Sequence, residues 1–171
     1  MTTTVAMSLA EFLARPEEDR AEWSQGALVM NPPTIPHQLA AKALVRLLDA
    51  ASPPGLVAVE AIGWLLAPGG PFRIPDVVVA PATQLVGQWL TEPPTIAVEI
   101  LSPDERPEVK LAEYAAAGLD YYWTFDLETA VLTVYERDSD THRATATAAP
   151  GHVLHVVRPL AVDINPGDLL P

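Results

Sequence analysis

Two acidic residues lie in apolar, strand-like segments, where carboxylates are uncommon. Asp76 follows Pro75 and opens the run Val77-Val78-Val79, and Glu99 lies inside the run Ile96-Ala97-Val98-Glu99-Ile100-Leu101. A carboxylate among apolar neighbours costs free energy unless a cation or hydrogen bonds compensate its charge. A bound metal ion is one such compensation, so the two acids indicate a possible metal site.

The spacing also predicts where the two acids meet. If the two runs are neighbouring antiparallel strands, as consecutive strands often are, Asp76 and Glu99 lie side by side. Their oxygens could then share a hard cation, with the carbonyl of Ile100 as an additional ligand. Lys110, early in the next predicted helix, can reach back to orient a water molecule or stabilise a developing oxyanion. Glu22 could supply a further acid.

The same residues have a purely structural interpretation. Asp76 could cap a loop, Glu99 could face solvent on an edge strand, and Lys110 could pair with Glu113 or Glu99. A Pro-Asp pair, a strand glutamate and a later lysine often occur together by chance. Spacing alone therefore favours the structural interpretation over the catalytic one.

Composition limits the classes of protein that fit. The 171 residues suit a single domain, 1–171, and the absence of cysteine excludes disulfides, thiolate zinc sites and thiol nucleophiles. The net charge of −12 argues against a protein that binds nucleic acid mainly by counterion release. With no basic signal segment and no apolar stretch of membrane-spanning length, we expect a soluble, cytoplasmic protein without membrane contact.

The predicted elements alternate between strands and three helices. A capping box at Ser8 and Glu11 begins a short helix, and the other helices span 37–51 and 107–118, the last capped by Ser102 or Asp104. Residues 22–30 form two short strands around a turn, and segment 81–94 carries either a helical turn or a lid. The remaining predicted strands are 56–62, 64–67, 74–80, 95–101, 121–125, 131–135, 143–148 and 153–157.

Three basic side chains could contact a substrate phosphate. Arg73 and Arg106 fit that role, and each fits a surface ion pair equally well. His37 opens a helix beside the predicted cleft and could touch a phosphate or water, although helix capping or solvation explains it more simply.

The aromatic cluster near the third helix also has two interpretations. Tyr121, Tyr122, Trp123 and Phe125 could stack nucleobases, but their apolar setting favours core packing or a subunit interface. His142 is expected on a loop.

Five segments together resemble a known family. They are RAEWSQGALVM at 20–30, PHQ at 36–38, IPDVVV at 74–79, VEILSP at 98–103 and KLAEYAAAG at 110–118. In order and spacing they are similar to the Uma-two family of bacterial endonucleases, within the PD-(D/E)XK superfamily. The resemblance covers most of the chain.

The resemblance implies a fold and a set of site residues. The fold is α/β (α+β) and restriction-endonuclease-like, with a central mixed β-sheet flanked by helices and a terminal antiparallel β extension. Asp76 and Glu99 take the two metal-binding acid positions, and Glu22 takes that of the acid near the N-terminus. Leu101 stands where the superfamily usually has its lysine, so Lys110 corresponds to a lysine moved onto the following helix.

The function implied is a Mg²⁺- or Mn²⁺-dependent endonuclease that hydrolyses phosphodiester bonds of nucleic acid, with DNA the expected substrate and a homodimer the expected assembly. Ala21 and Ala27 depart from the family pattern, and with the net charge of −12 they favour two rivals. One is a catalytically quiet binding or scaffold module on the nuclease fold. The other is a nuclease that is active only with a basic partner.

Overall fold

A six-stranded mixed sheet forms the centre of the computed structural model, which describes residues 3–15, 20–102 and 107–170. The proposed helix cap Asp104 and the phosphate-contact candidate Arg106 lie outside these residues. The helices are α1 (Leu9–Leu13), α2 (Ile35–Ala51) and α3 (Glu108–Ala116). The strands are β1 (Thr3–Ala6), β2 (Glu22–Ser24), β3 (Ala27–Met30), β4 (Leu56–Glu60), β5 (Trp64–Leu65), β6 (Phe72–Arg73), β7 (Val77–Pro81), β8 (Ile96–Leu101), β9 (Tyr121–Asp126), β10 (Val131–Asp138), β11 (Thr141–Ala148), β12 (Leu154–Val156) and β13 (Val162–Ile164).

The strand order in the central sheet is β11-β10-β9-β8-β7-β4. Strands β8 and β9 are parallel because α3 crosses over between them, and the other neighbouring pairs are antiparallel. Strands β9, β10 and β11 form the expected terminal antiparallel extension. Strand β12 instead pairs with β13, which was not predicted, in a separate two-stranded sheet. The predicted mixed sheet flanked by helices is therefore confirmed.

Helices cover both faces of this sheet, which explains why its middle strands are apolar on both sides. Val77 and Val79 of β7 pack in the same cluster as Leu44 of α2, whereas Val78 packs in the cluster of Tyr114 of α3. The alternation follows from the two-residue period of a strand. Within the described ranges, no helix has the length and apolar character needed to cross a membrane.

A second sheet, ordered β1-β3-β2-β6-β5, brings Glu22 and Arg73 close together. Its β2–β3 hairpin turns at Gln25 and Gly26, whose φ angles of 50° and 80° lie in the left-handed region that glycine adopts readily. The two short strands predicted for residues 22–30 are confirmed, whereas β1 was not predicted. This sheet therefore carries two of the predicted site residues, Glu22 on β2 and Arg73 on β6.

Some predicted boundaries were wrong. The strand expected at 74–80 begins at Val77, because Pro75 lacks the N–H that a sheet ladder needs. For segment 81–94, where a helical turn or a lid was expected, the structure has a helical turn, the 3₁₀ helix Ala82–Gln84. His142 lies in β11 with only 5% of its surface exposed, not on a loop.

Tyr122, Trp123 and Phe125 are fully buried, as the core-packing interpretation expected.

Gly63 is required beside Phe72, the residue before Arg73. A Cβ atom at Gly63 would overlap the Phe72 ring, which packs against the rings of Phe12 and Trp89. We expect Gly63→Ala to lower the free energy of unfolding by about 1–3 kcal/mol, the usual cost of overpacking. Urea denaturation measures this, with Gly87→Ala as the control because its nearest neighbour would be a carbonyl oxygen at 3.5 Å. Equal effects of the two substitutions would contradict the steric argument.

Candidate active site

Asp76 and Glu99 lie opposite each other at one end of the β7–β8 pair. The antiparallel register pairs Val77 with Val98, so the next pair outward is Asp76 and Glu99. The backbone amide of Ile100 donates a hydrogen bond of 2.7 Å to Asp76 Oδ2. The structure thus brings the two acids together as the sequence predicted, and this amide orients Asp76.

The Glu99 carboxylate is almost completely buried, with 5% of the residue exposed. Tyr114 donates its hydroxyl to Oε1 over 2.6 Å, and Lys110 Nζ lies 2.8 Å from Oε2. Burial raises the Glu99 pKa to about 8, an effect that Lys110 partly offsets and the negative charges of Asp76 and Glu22 reinforce. Glu99 therefore lies in a place where additional positive charge would favour its ionised form.

Lys110 reaches this place from the first turns of α3, as the sequence predicted. Its Nζ atom lies between Glu99 Oε2 and Glu22 Oε1, at 2.8 and 3.2 Å. Burial alone would lower the lysine pKa, but attraction to Glu99 and Glu22 outweighs it and the Lys110 pKa is raised. The ammonium group therefore stays charged at neutral pH.

Glu22 opens β2 and connects Lys110 to Arg73. Its Oε1 atom accepts hydrogen bonds from the Ile74 amide at 3.1 Å and from Lys110, and Oε2 lies 3.0 Å from Arg73 Nη1. Burial would raise the Glu22 pKa, but Lys110 and Arg73 lower it below its ordinary value. Glu22 is therefore an ionised member of the same cluster.

Arg73 is buried behind this cluster. Its Nε and Nη2 atoms donate to the two carboxylate oxygens of Glu113, each over 2.8 Å, and Nη2 also donates to Ser24 Oγ over 3.1 Å. Burial would lower the Arg73 pKa, but the charges of Glu22 and Glu113 raise it. Of the two sequence alternatives, an ion pair describes the observed contacts of Arg73, although the pair is buried and not on the surface.

An open cleft exposes one side of the acids. Glu22, Asp76, Glu99 and Lys110 line it together with His37 and nearby polar residues. His37 follows the Thr34 cap of α2, and its Nε2 atom lies 3.2 Å from Asp76 Oδ2. Of the predicted site residues that the structure describes, all except Arg73 therefore contribute to the cleft or, for Ile100, to the orientation of Asp76.

The sequence did not indicate the roles of two residues of the cluster: Tyr114 was not considered, and Glu113, considered only as a partner of Lys110, pairs with Arg73. Glu113 and Tyr114 follow Lys110 by three and four positions, a spacing that places side chains on the same helix face. That spacing could have identified both.

His142 holds the same helix from the other side. Its Nδ1 atom lies 2.9 Å from the Leu111 carbonyl oxygen, and its Nε2 atom lies 2.8 Å from that of Leu119. These contacts join β11 to the residue that follows Lys110 and to the segment after α3. The histidine predicted on a loop therefore helps to anchor the helix that carries the lysine.

Comparison with known proteins agrees with the motif resemblance. Residues 9–167 match the model of the Uma2 family, described as "putative restriction endonuclease". The chain belongs to the Uma2 family. Among solved structures, a "putative nuclease belonging to DUF820" from Anabaena variabilis is similar, with a TM-score of 0.74, 20% identity, and coverage of 95% of this chain and 97% of that one. That likeness shows a shared fold. None of the curated proteins matches the chain.

The donor atoms of this Uma2 site fit a divalent cation. Within the described residues, no group of three or more His, Cys, Asp or Glu side chains is already arranged as a metal cage. Mg²⁺ seldom uses such a cage and is commonly held by one or two carboxylates together with waters and substrate phosphate. Asp76 and Glu99, which face each other across the β7–β8 pair and both line the cleft, can supply these carboxylates.

The raised pKa predicts a pH-dependent contribution to stability. In metal-free protein, the folded state keeps a proton on Glu99 where the unfolded chain, with a pKa of 4.5, has lost it. This stabilisation is complete below pH 4.5 and is lost as the pH rises through about 8. We expect the unfolding free energy of the wild type, relative to Glu99→Gln, to fall across this interval. Urea denaturation in EDTA measures it, and a constant difference would contradict a burial-dominated pKa.

The Tyr114 hydroxyl should contribute measurably to stability. Tyr114→Phe removes the 2.6 Å hydrogen bond to Glu99 and keeps the buried ring. When denaturation is measured above pH 8, where Glu99 is ionised, we expect a loss of about 1.5–3 kcal/mol, typical of a hydrogen bond to a charged group. Tyr135→Phe is the matched control, since its ring also packs on Tyr122. If both variants unfold at the same urea concentration, the hydroxyl contributes nothing.

Proposed function

We propose that this Uma2 protein is a Mg²⁺- or Mn²⁺-dependent endonuclease that hydrolyses phosphodiester bonds in DNA. The single observation that carries the proposal is the grouping of Asp76, Glu99 and the Lys110 ammonium along one open cleft. Two carboxylates beside a charged lysine are suited to metal-assisted hydrolysis of a phosphate ester. Membership of a family described as restriction endonucleases supports both nuclease activity and a DNA substrate.

The chain's own residues have distinct roles in this proposal. Asp76 and Glu99 would hold the cation, with the Ile100 carbonyl and Glu22 as further oxygen donors. When bound, the cation would lower the pKa of a water molecule and neutralise charge on the scissile phosphate. Lys110, charged and held between Glu99 and Glu22, would orient the attacking water and stabilise the negative charge that develops on the phosphate.

His37 would act on Asp76 and on groups entering the cleft. Its Nε2 atom lies 3.2 Å from Asp76 Oδ2. The imidazole would restrict the orientation of the carboxylate and could donate a hydrogen bond to a phosphate oxygen.

One rival function has specific support. Lys110 and Tyr114 already contact the Glu99 carboxylate, and Arg73 contacts that of Glu22. The chain also carries a net charge of −12. A binding or scaffold module that keeps the nuclease fold could use this cluster purely for stability. Such a module would take up no Mn²⁺ at millimolar concentration, whereas the nuclease would.

Plasmid cleavage tests the proposed activity. We expect supercoiled plasmid to be cut with Mn²⁺ or Mg²⁺ and left intact with EDTA, because the carboxylates alone supply no Lewis acid. Asp76→Ala and Glu99→Ala should abolish cutting, and Lys110→Gln should slow it by about 10²–10³-fold, as does the loss of a charge-stabilising donor elsewhere. Activity retained in both acid variants would exclude this mechanism.

Two controls separate loss of chemistry from loss of fold. Asp163→Ala removes an exposed carboxylate of β13 and should cut like the wild type. Calorimetric titration with Mn²⁺ should show uptake by the wild type and by Asp163→Ala, and weakened uptake by Asp76→Ala. A homodimer stays a prediction, which light scattering would measure.

A further inference from the structure

Arg73 is not accessible to a substrate. Only 7% of it is exposed, and it is absent from the side chains that line the cleft. Its guanidinium donates to Glu22, to both oxygens of Glu113 and to Ser24. A cation whose donors are bound to two carboxylates offers little to a phosphate.

The contacts of Arg73 instead connect the two elements that hold Lys110. Glu113 lies on α3, the helix of Lys110, and Glu22 lies on β2 and accepts from the lysine itself. Arg73 thereby fixes the distance between β2 and the face of α3 that carries the lysine. A lysine cannot replace the planar fork that makes these simultaneous contacts.

Arg20 has the opposite properties. It is exposed, it lines the cleft beside Glu22 and Asp76, and it makes no ion pair or hydrogen bond with any residue in the described ranges. Its neighbour Ala21 is 2% exposed, so the backbone is anchored at the wall of the cleft. Among the described lining residues the other lysine or arginine is Lys110, which already pairs with Glu99 and Glu22.

We propose that the two arginines divide the work at this site: Arg20 contacts a phosphate of the nucleic acid, and Arg73 is a positioning residue that holds Lys110 through Glu22 and Glu113. The inference rests on the proposed nuclease function. At the cleft of this strongly acidic chain, Arg20 would supply the electrostatic attraction for a phosphate, because Lys110 and Arg73 are already neutralised by carboxylates.

Binding and cleavage measured in parallel test this division. Duplex DNA binding is measured at several salt concentrations in the Asp76→Ala background, and steady-state cleavage is measured with Mn²⁺-loaded protein. Arg20→Gln should reduce the slope of log K against log salt by about 1 and act more on KM than on kcat. Arg73→Lys should lower kcat by about 10–100-fold, as changes to residues that orient metal-site ligands do, and leave the salt slope unchanged.

Matched variants complete the test. Arg46→Gln makes the same charge change at an exposed position of α2 outside the cleft lining and should alter neither quantity. Glu113→Gln should reproduce Arg73→Lys, and the double variant should be no worse than either single one, as expected for residues that act as a unit. A purely structural role for Arg73 would instead lower the active fraction, measured as the stoichiometry of Mn²⁺ uptake, and leave kcat per active molecule unchanged.

Each outcome separates this inference from the proposed function. If Arg20→Gln behaves like Arg46→Gln, or if Arg73→Lys reduces the salt slope, the division is wrong even though the wild type cleaves DNA. If the wild type binds DNA but never cuts it, the proposed function fails while the Arg20 contact is still tested by the salt slope. Absence of both binding and cleavage would overturn both.

Discussion

The burial of the Glu99 carboxylate is the constraint on which the rest of the site depends. A charge on a residue that is only 5% exposed must be compensated locally, because very little water reaches it. Lys110 and Tyr114 supply that compensation, and both project from α3. The contacts that hold this helix on the central sheet are therefore the same contacts that compensate the charge of Glu99. Moving the helix would remove that compensation, and removing the Glu99 carboxylate would remove two contacts that hold the helix.

The ion pairs continue away from Glu99 as a network that begins and ends on α3. Lys110 pairs with Glu22, Glu22 pairs with Arg73, and Arg73 pairs with Glu113, which lies on the same helix as the lysine. This network of ion pairs connects the central sheet, α3 and the second sheet at the cleft. Breaking one pair would leave a partly buried charge without its partner, which costs more than the pair itself contributes.

Because Lys110 and Arg73 are used in ion pairs, this acidic chain has few cations left at the cleft to bind a polyanion. The chain has 10 Lys and Arg residues against 22 acidic ones, and two of those cations are neutralised inside the cluster. Little positive charge is left at the cleft to attract a phosphate backbone. Under the proposed function, affinity for a phosphate backbone would then depend on a bound cation and on a few local contacts.

The sequence by itself determined the family, the mixed sheet, the pairing of Asp76 with Glu99 and the displaced lysine, because apolar runs and motif spacing are local properties of the chain. It did not determine that Arg73 is buried, that Tyr114 bonds Glu99 or that His142 anchors α3. These contacts join residues far apart in the chain, Arg73 and Glu113 by 40 positions. Only the packing of helix and sheets brings such residues within hydrogen-bond distance, so only the tertiary structure decided that Arg73 is buried among carboxylates while Arg20 is exposed at the cleft.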